Sequence, residues 1–89
     1  MTRVVVAGIG QRHGDDDPLA AMAAELRNGG AEVIFTGWDQ TPARVVRAAL
    51  QEDVDAIGLC GGTDGALAQV RGLLADEDAE DITVFTPPR

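Results

Sequence analysis

The chain has 89 residues, 45% of them hydrophobic, and its fifteen acidic and seven basic side chains give a formal net charge of −8. That length holds one domain, residues 1–89, able to bury only roughly 60–65% of its unfolded surface. The acidic balance argues against nucleic acid or an anionic membrane as a partner. With Phe35, Trp38 and Phe85 as the only Phe, Trp or Tyr residues, the core has to be Ala, Val, Leu and Ile. The lone Cys60 excludes an internal disulfide and suits a reducing cytoplasm. No apolar run approaches the ~18 residues of a membrane span, and no charged-then-apolar leader precedes the first strand. A cytoplasmic location without a signal peptide is the resulting expectation.

In chain order, Arg3–Ala7 is a β-branched run, as expected for a strand buried on both faces. Gly8–Gly14 reads as a glycine-rich loop, and Asp17-Pro18 as the cap and first turn of a helix over 18–28. Leu19, Met22, Ala23 and Leu26 form its apolar face, and Asn28-Gly29-Gly30 ends it. Glu32–Phe35 predicts a second strand closed by Gly37, which puts Trp38 in the following loop, as a lid or an oligomer contact. Thr41-Pro42 opens a second helix over 42–52 with Val45, Val46, Ala49 and Leu50 inward. Ala56–Leu59 predicts a third strand. Thr63 or Asp64 caps a helix over 64–75 with Leu67, Val70 and Leu74 inward, weakened at Gly72. Asp76–Asp81 reads as a solvated acidic loop, Ile82–Phe85 as a fourth strand, and Pro87-Pro88 as a stop.

This alternation predicts a flavodoxin-like α/β fold, β-α-β-α-β-α-β, with parallel strands in the order 2-1-3-4. Ligands of such open sheets bind at the carboxyl ends of the strands where the order reverses. The loops at Gly8–Gly14 and Cys60–Asp64 are therefore where function is expected.

Glu-Val-Ile-Phe-Thr-Gly at 32–37, Gln-Thr-Pro at 40–42, Val-Val-Arg-Ala-Ala at 45–49 and Gln-Glu-Asp-Val-Asp-Ala-Ile-Gly-Leu at 51–59 carry a resemblance. They are similar to the middle of the cobalamin-binding domain of methylmalonyl-CoA mutase and related carbon-skeleton mutases. The resemblance spans about Arg3 to Val84. It implies that His13 is the ligand reaching cobalt from below, with Gln11 in the place of the family's orienting aspartate and Asp16 in that of its glycine. It also implies that Gly10, Cys60, Gly61 and Gly62 border the cofactor. Cys60-Gly61-Gly62 stands for the family's Ser-x-Leu, and Thr86-Pro87-Pro88 for its Gly-Gly. Cysteine is a poorer hydrogen-bond donor than serine. The family's domains usually continue with another helix, strand and helix, so an exposed β4 edge is expected here, met by a partner or a second copy.

Other chemistries are weighed on the same residues. Gly8-x-Gly10-x-x-x-Gly14 resembles a dinucleotide-binding turn, but Asp15–Asp17 would face the pyrophosphate. A phosphate-receiver site needs an aspartate where Cys60 stands and a lysine that the chain lacks. His13 with Asp15–Asp17 can hold a divalent cation, or the carboxylates can simply serve the helix end. Cys60 beside a helix N-terminus is either a thiol of lowered pKa or a small core side chain. Two functions follow. One is a cobalamin-carrying accessory module, not catalytic alone, working beside a mutase catalytic subunit. The other is a cofactor-free interaction or assembly module on the same scaffold. A homo-oligomer is expected in either case.

Overall fold

In a computed structural model, residues 2–12, 14–62 and 64–87 are described, Asp64 by its backbone alone. Among these residues the elements are β1 (Arg3–Ile9), α1 (Pro18–Asn28), β2 (Glu32–Gln40), α2 (Pro42–Gln51), β3 (Ala56–Gly61), α3 (Asp64–Asp76) and β4 (Thr83–Phe85). The four strands form one parallel sheet in the order β2-β1-β3-β4. Fold class and strand order thus follow the sequence expectation.

The caps form as the side chains dictate. The Asp17 carboxylate accepts the Ala20 N–H at 3.1 Å, and the Thr41 hydroxyl accepts that of Arg44 at 3.3 Å. Thr63 lies outside the described residues. Each helix closes with the same paired bonds. Ala31 and Gly30 donate to the Leu26 and Arg27 carbonyls, Val54 and Asp53 to Ala49 and Leu50, and Ala79 and Asp78 to Leu74 and Ala75. The left-handed residue is Gly30 in α1, but Asp53 (φ 51°) in α2 and Asp78 (φ 55°) in α3. The acidic stretch after α3 is solvated as expected, all five carboxylates being exposed, and its backbone also makes the helix closure, with Ala79 buried behind it.

The alternation of β1 and β3 divides the core in two. Val5, Ala7, Ile57, Leu59 and Val84 face α2 and α3, where Val45, Val46, Ala49, Val70 and Leu74 meet them. Val4, Val6 and Cys60 face α1, against Leu19, Met22 and Ala23. Leu26 and Leu67 are only partly buried. Leu50, expected inward, is 39% exposed, because the α2 stripe that meets the sheet narrows to Val45, Val46 and Ala49. Two helices cover one face and a single helix covers the other. Beside α1 this leaves an apolar groove of about 500 Å³ that reaches Phe85 and Pro87. No described helix is long and apolar enough to cross a membrane.

Three strand ends differ from the sequence expectation. β1 runs on to Ile9, placing Gly8 inside a buried strand instead of a loop. β3 includes Cys60 and Gly61. β2 continues through Gly37 to Gln40, so Trp38 lies in a strand and not in the β2–α2 loop. Backbone pairing with β1 outweighs the local preference of Gly37 to break the strand.

Candidate site at the carboxyl ends of β1 and β3

The site is organised by a fault in β2. Phe35 pairs with Val6 but Gly37, not Thr36, pairs with Ala7, so Thr36 is an extra residue in the ladder. Its hydroxyl donates to the Val6 carbonyl at 2.9 Å. Side chains in a strand alternate faces, so one inserted residue moves everything after it to the other face. Val33 and Phe35 pair with Val4 and Val6 on the α1 side. Were Thr36 paired in register with Ala7, the next residue on that side would be Gly37. With Thr36 bulged, Trp38 comes there instead.

The indole lies on Gly8. A Cβ built at Gly8 would come 2.3 Å from Trp38 Cε3, and one built at Gly61 would come 3.1 Å from Cζ3. The ring thus spans from β1 to the end of β3, the two strands where the order reverses. Its Nε1–H donates to Asp17 Oδ1 at 3.1 Å, the same oxygen that caps α1. That bond, followed by the Ala20 N–H, holds the Asp17 carboxyl below its ordinary pKa. Beyond Trp38, Asp39 takes φ 66° and donates its N–H to the Gly10 carbonyl at 2.7 Å. Gln40 Nε2 braces the bulged strand from the Thr36 and Trp38 carbonyls, at 3.3 and 3.4 Å.

Of the residues singled out from the sequence, Gly10 and Gln11 are exposed at the mouth of the β1–α1 loop. His13 lies outside the described residues. Cys60 is buried, 2% exposed, on the α1 face opposite Gly8. Burial, and then the charge of Asp17, push its thiol pKa up, so of the two readings of Cys60 the small core side chain is the one the structure bears out. Neutral cysteine is what an apolar wall favours. Gly61 (φ 73°) and Gly62 (φ 75°) sit exposed at the strand end, and a Cβ at Gly62 would press on Ile9 and Ala66. Cys60 and Gly61 thus pair with Gly8 and Ile9 at the carboxyl ends of β3 and β1, with Gly62 and Gly10 the next residues of each chain segment. Among the described residues no group of three or more His, Cys, Asp or Glu gathers where a metal ion could be held. The Asp17 carboxylate is engaged by Trp38 and Ala20 rather than pointing with Asp15 and Asp16 at a common point.

Sequence reasoning missed Gly8, Gly58 and the double role of Asp17. The legible signal was the run of small residues at every second position of β3, Ala56, Gly58 and Cys60, facing α1. At Gly58 the space is filled by Met22 and Phe85, whose ends would both lie 3.0 Å from an added Cβ.

Tested against the cofactor that the sequence resemblance implies, these residues fit in part. The groove beside α1 is apolar and open. The crevice floor is flat, because Gly8 and Gly61 carry no side chain, but the indole covers it.

No protein-family profile matches the chain. It is 36% identical over 86 residues to the 2-hydroxyisobutanoyl-CoA mutase small subunit of Aquincola tertiaricarbonis, covering 93% of this chain and 62% of that one. It is 47% identical over 57 residues to the pivalyl-CoA mutase small subunit of Xanthobacter autotrophicus, covering 64% of this chain and 38% of that one. The chain thus spans less than two-thirds of the curated relatives it matches. A crystal structure of a cobalamin-binding protein from Desulfitobacterium hafniense superposes with a TM-score of 0.78 at 21% identity, over 99% of this chain and 45% of that one. The chain is thus similar in sequence to the small subunits of two coenzyme A mutases and shares the fold of a cobalamin-binding protein.

Proposed function

We propose that the chain is a cobalamin-carrying accessory module that works with a separate catalytic subunit of a coenzyme A mutase and is not catalytic alone. The observation that carries this reading is 36% identity to a mutase small subunit on a fold whose strand order reverses between β1 and β3. In this reading His13 supplies the lower ligand to cobalt, and Gln11 orients its ring by accepting the other imidazole N–H. Gln11 carries no charge, so it holds the ring less firmly than a carboxylate would. Gly10, Cys60, Gly61 and Gly62 border the cofactor, with backbone at Gly61 and Gly62 offering close approach. When bound, adenosylcobalamin supplies radical chemistry. The protein's part is to bind it, orient it and keep water from it.

Titration with hydroxocobalamin, followed by corrin absorption, tests this. We expect weak saturable binding, lost in His13→Ala and weakened as pH falls through the imidazole range near ~6.5, since only neutral imidazole ligates. The absence of any saturable change, with or without a mutase catalytic subunit, would end the cobalamin reading.

The covered crevice favours a second reading, a cofactor-free interaction or assembly module, which the same null titration would leave standing. Either module gains from assembly. The three-residue edge strand β4 and the open groove beside α1 are surfaces that a homo-oligomer or a catalytic subunit would cover. Sedimentation giving a stable monomer at micromolar concentration argues against the homo-oligomer.

A further inference from the structure

We propose that Trp38 is the gate of this crevice, with its indole occupying the ligand's place on the β1–β3 floor until it swings out. The inference rests on the cobalamin reading only for the identity of the ligand. Four observations support it. The Thr36 bulge turns Trp38 onto the α1 face, so the ring is aimed there by an irregularity and not by the regular pleat. The floor beneath it is glycine at both ends, Gly8 and Gly61, so moving the ring uncovers backbone there, beside the Cys60 edge of the α1-side cluster. The ring is only half-buried, and one hydrogen bond, to Asp17 Oδ1, ties its polar edge. Finally, it stands between Gly37 (φ 87°) and Asp39 (φ 66°), two left-handed residues flanking one side chain.

Fixing a core tryptophan does not require these features together. This indole packs on the α1-side cluster, but it also lies over bare backbone at Gly8 and Gly61, with a helix cap at its polar edge. Asp17 makes the gate a coupled one. Its Oδ1 serves both the indole and the first turn of α1, so opening frees a capping oxygen next to the loop that carries Gly10 and Gln11. A ligand that binds only the open form has its apparent affinity reduced by the open fraction. An open population of 10% or less costs at least ~10-fold in affinity.

The full chain offers a clean readout, because Trp38 is its only tryptophan. The single indole N–H resonance reports the Asp17 bond directly, and corrin absorption reports hydroxocobalamin binding. We expect Trp38→Leu to bind hydroxocobalamin at least ~10-fold more tightly than the wild type. Trp38→Phe, which keeps a ring on Gly8 but loses the bond to Asp17, should fall between the two. It serves as the decisive variant if Trp38→Leu does not fold. In the wild type the indole N–H resonance should move to an unbonded position in proportion to loading. Equal or weaker binding by the folded variants, or an indole resonance unchanged at saturation, overturns the gate while leaving the cobalamin reading intact. Failure of every variant and of the wild type to bind overturns both.

Discussion

The two ends of the sheet are built on opposite principles. At the amino end, three helix closures of one type bury Val54 and Ala79 and tuck Ala31 against the core. Arg3 ties the first two together there: its N–H reaches Asp55 at 2.9 Å, and its guanidinium reaches Glu32 at 3.0 Å and the Glu52 carbonyl at 2.8 Å. At the carboxyl end, by contrast, the backbone is left-handed at Gly10, Gly14, Gly37, Asp39, Gly61 and Gly62. One half-buried indole fills what regular packing leaves open. The difference shows how a small sheet can carry a site. One end satisfies its helix-terminal carbonyls through local, repeated bonds, and the other leaves bare strand-end backbone beneath a single indole.

The largest effect should come from the closed end. Leu74, 2% exposed, contacts the α2 side of the core and also supplies the carbonyl that closes α3. Leu74→Ala should cost about 2–5 kcal/mol by loss of burial plus the cavity left behind. Urea unfolding measures it, and a loss below 1 kcal/mol would mean the amino end is looser than its bonds suggest.

At the open end the expected loss is smaller and specific. Gly8 has an ordinary backbone conformation, so Gly8→Ala carries no backbone strain, only a methyl where Trp38 Cε3 would be 2.3 Å away. Overpacking of this kind costs about 1–3 kcal/mol. The ring has somewhere to go, so the cost should appear as a red-shifted Trp38 emission together with lowered stability. Unchanged emission would show that the ring does not rest on Gly8. Gly58→Ala is the control: it meets the flexible ends of Met22 and Phe85 and should leave emission unchanged.

Particular residues show how far the sequence reaches. Caps at Asp17 and Thr41, and the apolar faces of α1, α2 and α3, were legible because they depend on neighbours three or four residues away. The strand order was legible because a parallel crossover leaves few choices. Trp38 was not. Its face depends on which residue of β2 is skipped in pairing with β1, and the Thr36–Val6 bond that marks the fault joins residues thirty apart. Gly8 was misplaced for a related reason: a glycine reads locally as a turn, and only the indole above it explains a glycine inside a strand. That β1 and β3 end side by side was legible from the order reversal, whereas the indole lying over Gly8 and Gly61 was not.

Two stabilising changes separate helix chemistry from site chemistry. Gly72 lies within α3 with nothing within 4 Å of an added Cβ. Gly72→Ala should therefore add about 1 kcal/mol. Asp78→Gly relieves a left-handed residue at the α3 closure and should add about 0.5–1 kcal/mol. Both should raise the urea midpoint without altering Trp38 emission. A change in emission would mean that the two ends of the sheet are not independent.

The smallest effect expected is a pH dependence confined to the open end. The hydrogen bond from Trp38, and next the Ala20 N–H, lower the Asp17 pKa in the folded chain from its ordinary 3.8. A depressed carboxyl pKa contributes stability that is present above 3.8 and is lost as pH falls through the folded value. Cys60 works at the other extreme. Burial first, and the Asp17 charge second, raise its thiol from the ordinary 9.0, so above that pH the unfolded chain gives up a proton that the folded chain keeps, and stability declines. Arg3, the charged centre of the amino end, has its pKa raised by the bond to Glu32 and stays cationic across both windows. Acid should therefore loosen the indole before it melts the helices. Trp38 emission should shift below pH 3.8 ahead of the far-ultraviolet circular dichroism signal. Asp17→Asn keeps an oxygen acceptor for the indole but cannot titrate, so its emission should stay level until the helices melt. If Asp17→Asn showed the same early shift as the wild type, the acid sensitivity of the open end would belong to another group, and the latch at Trp38 would lose its support.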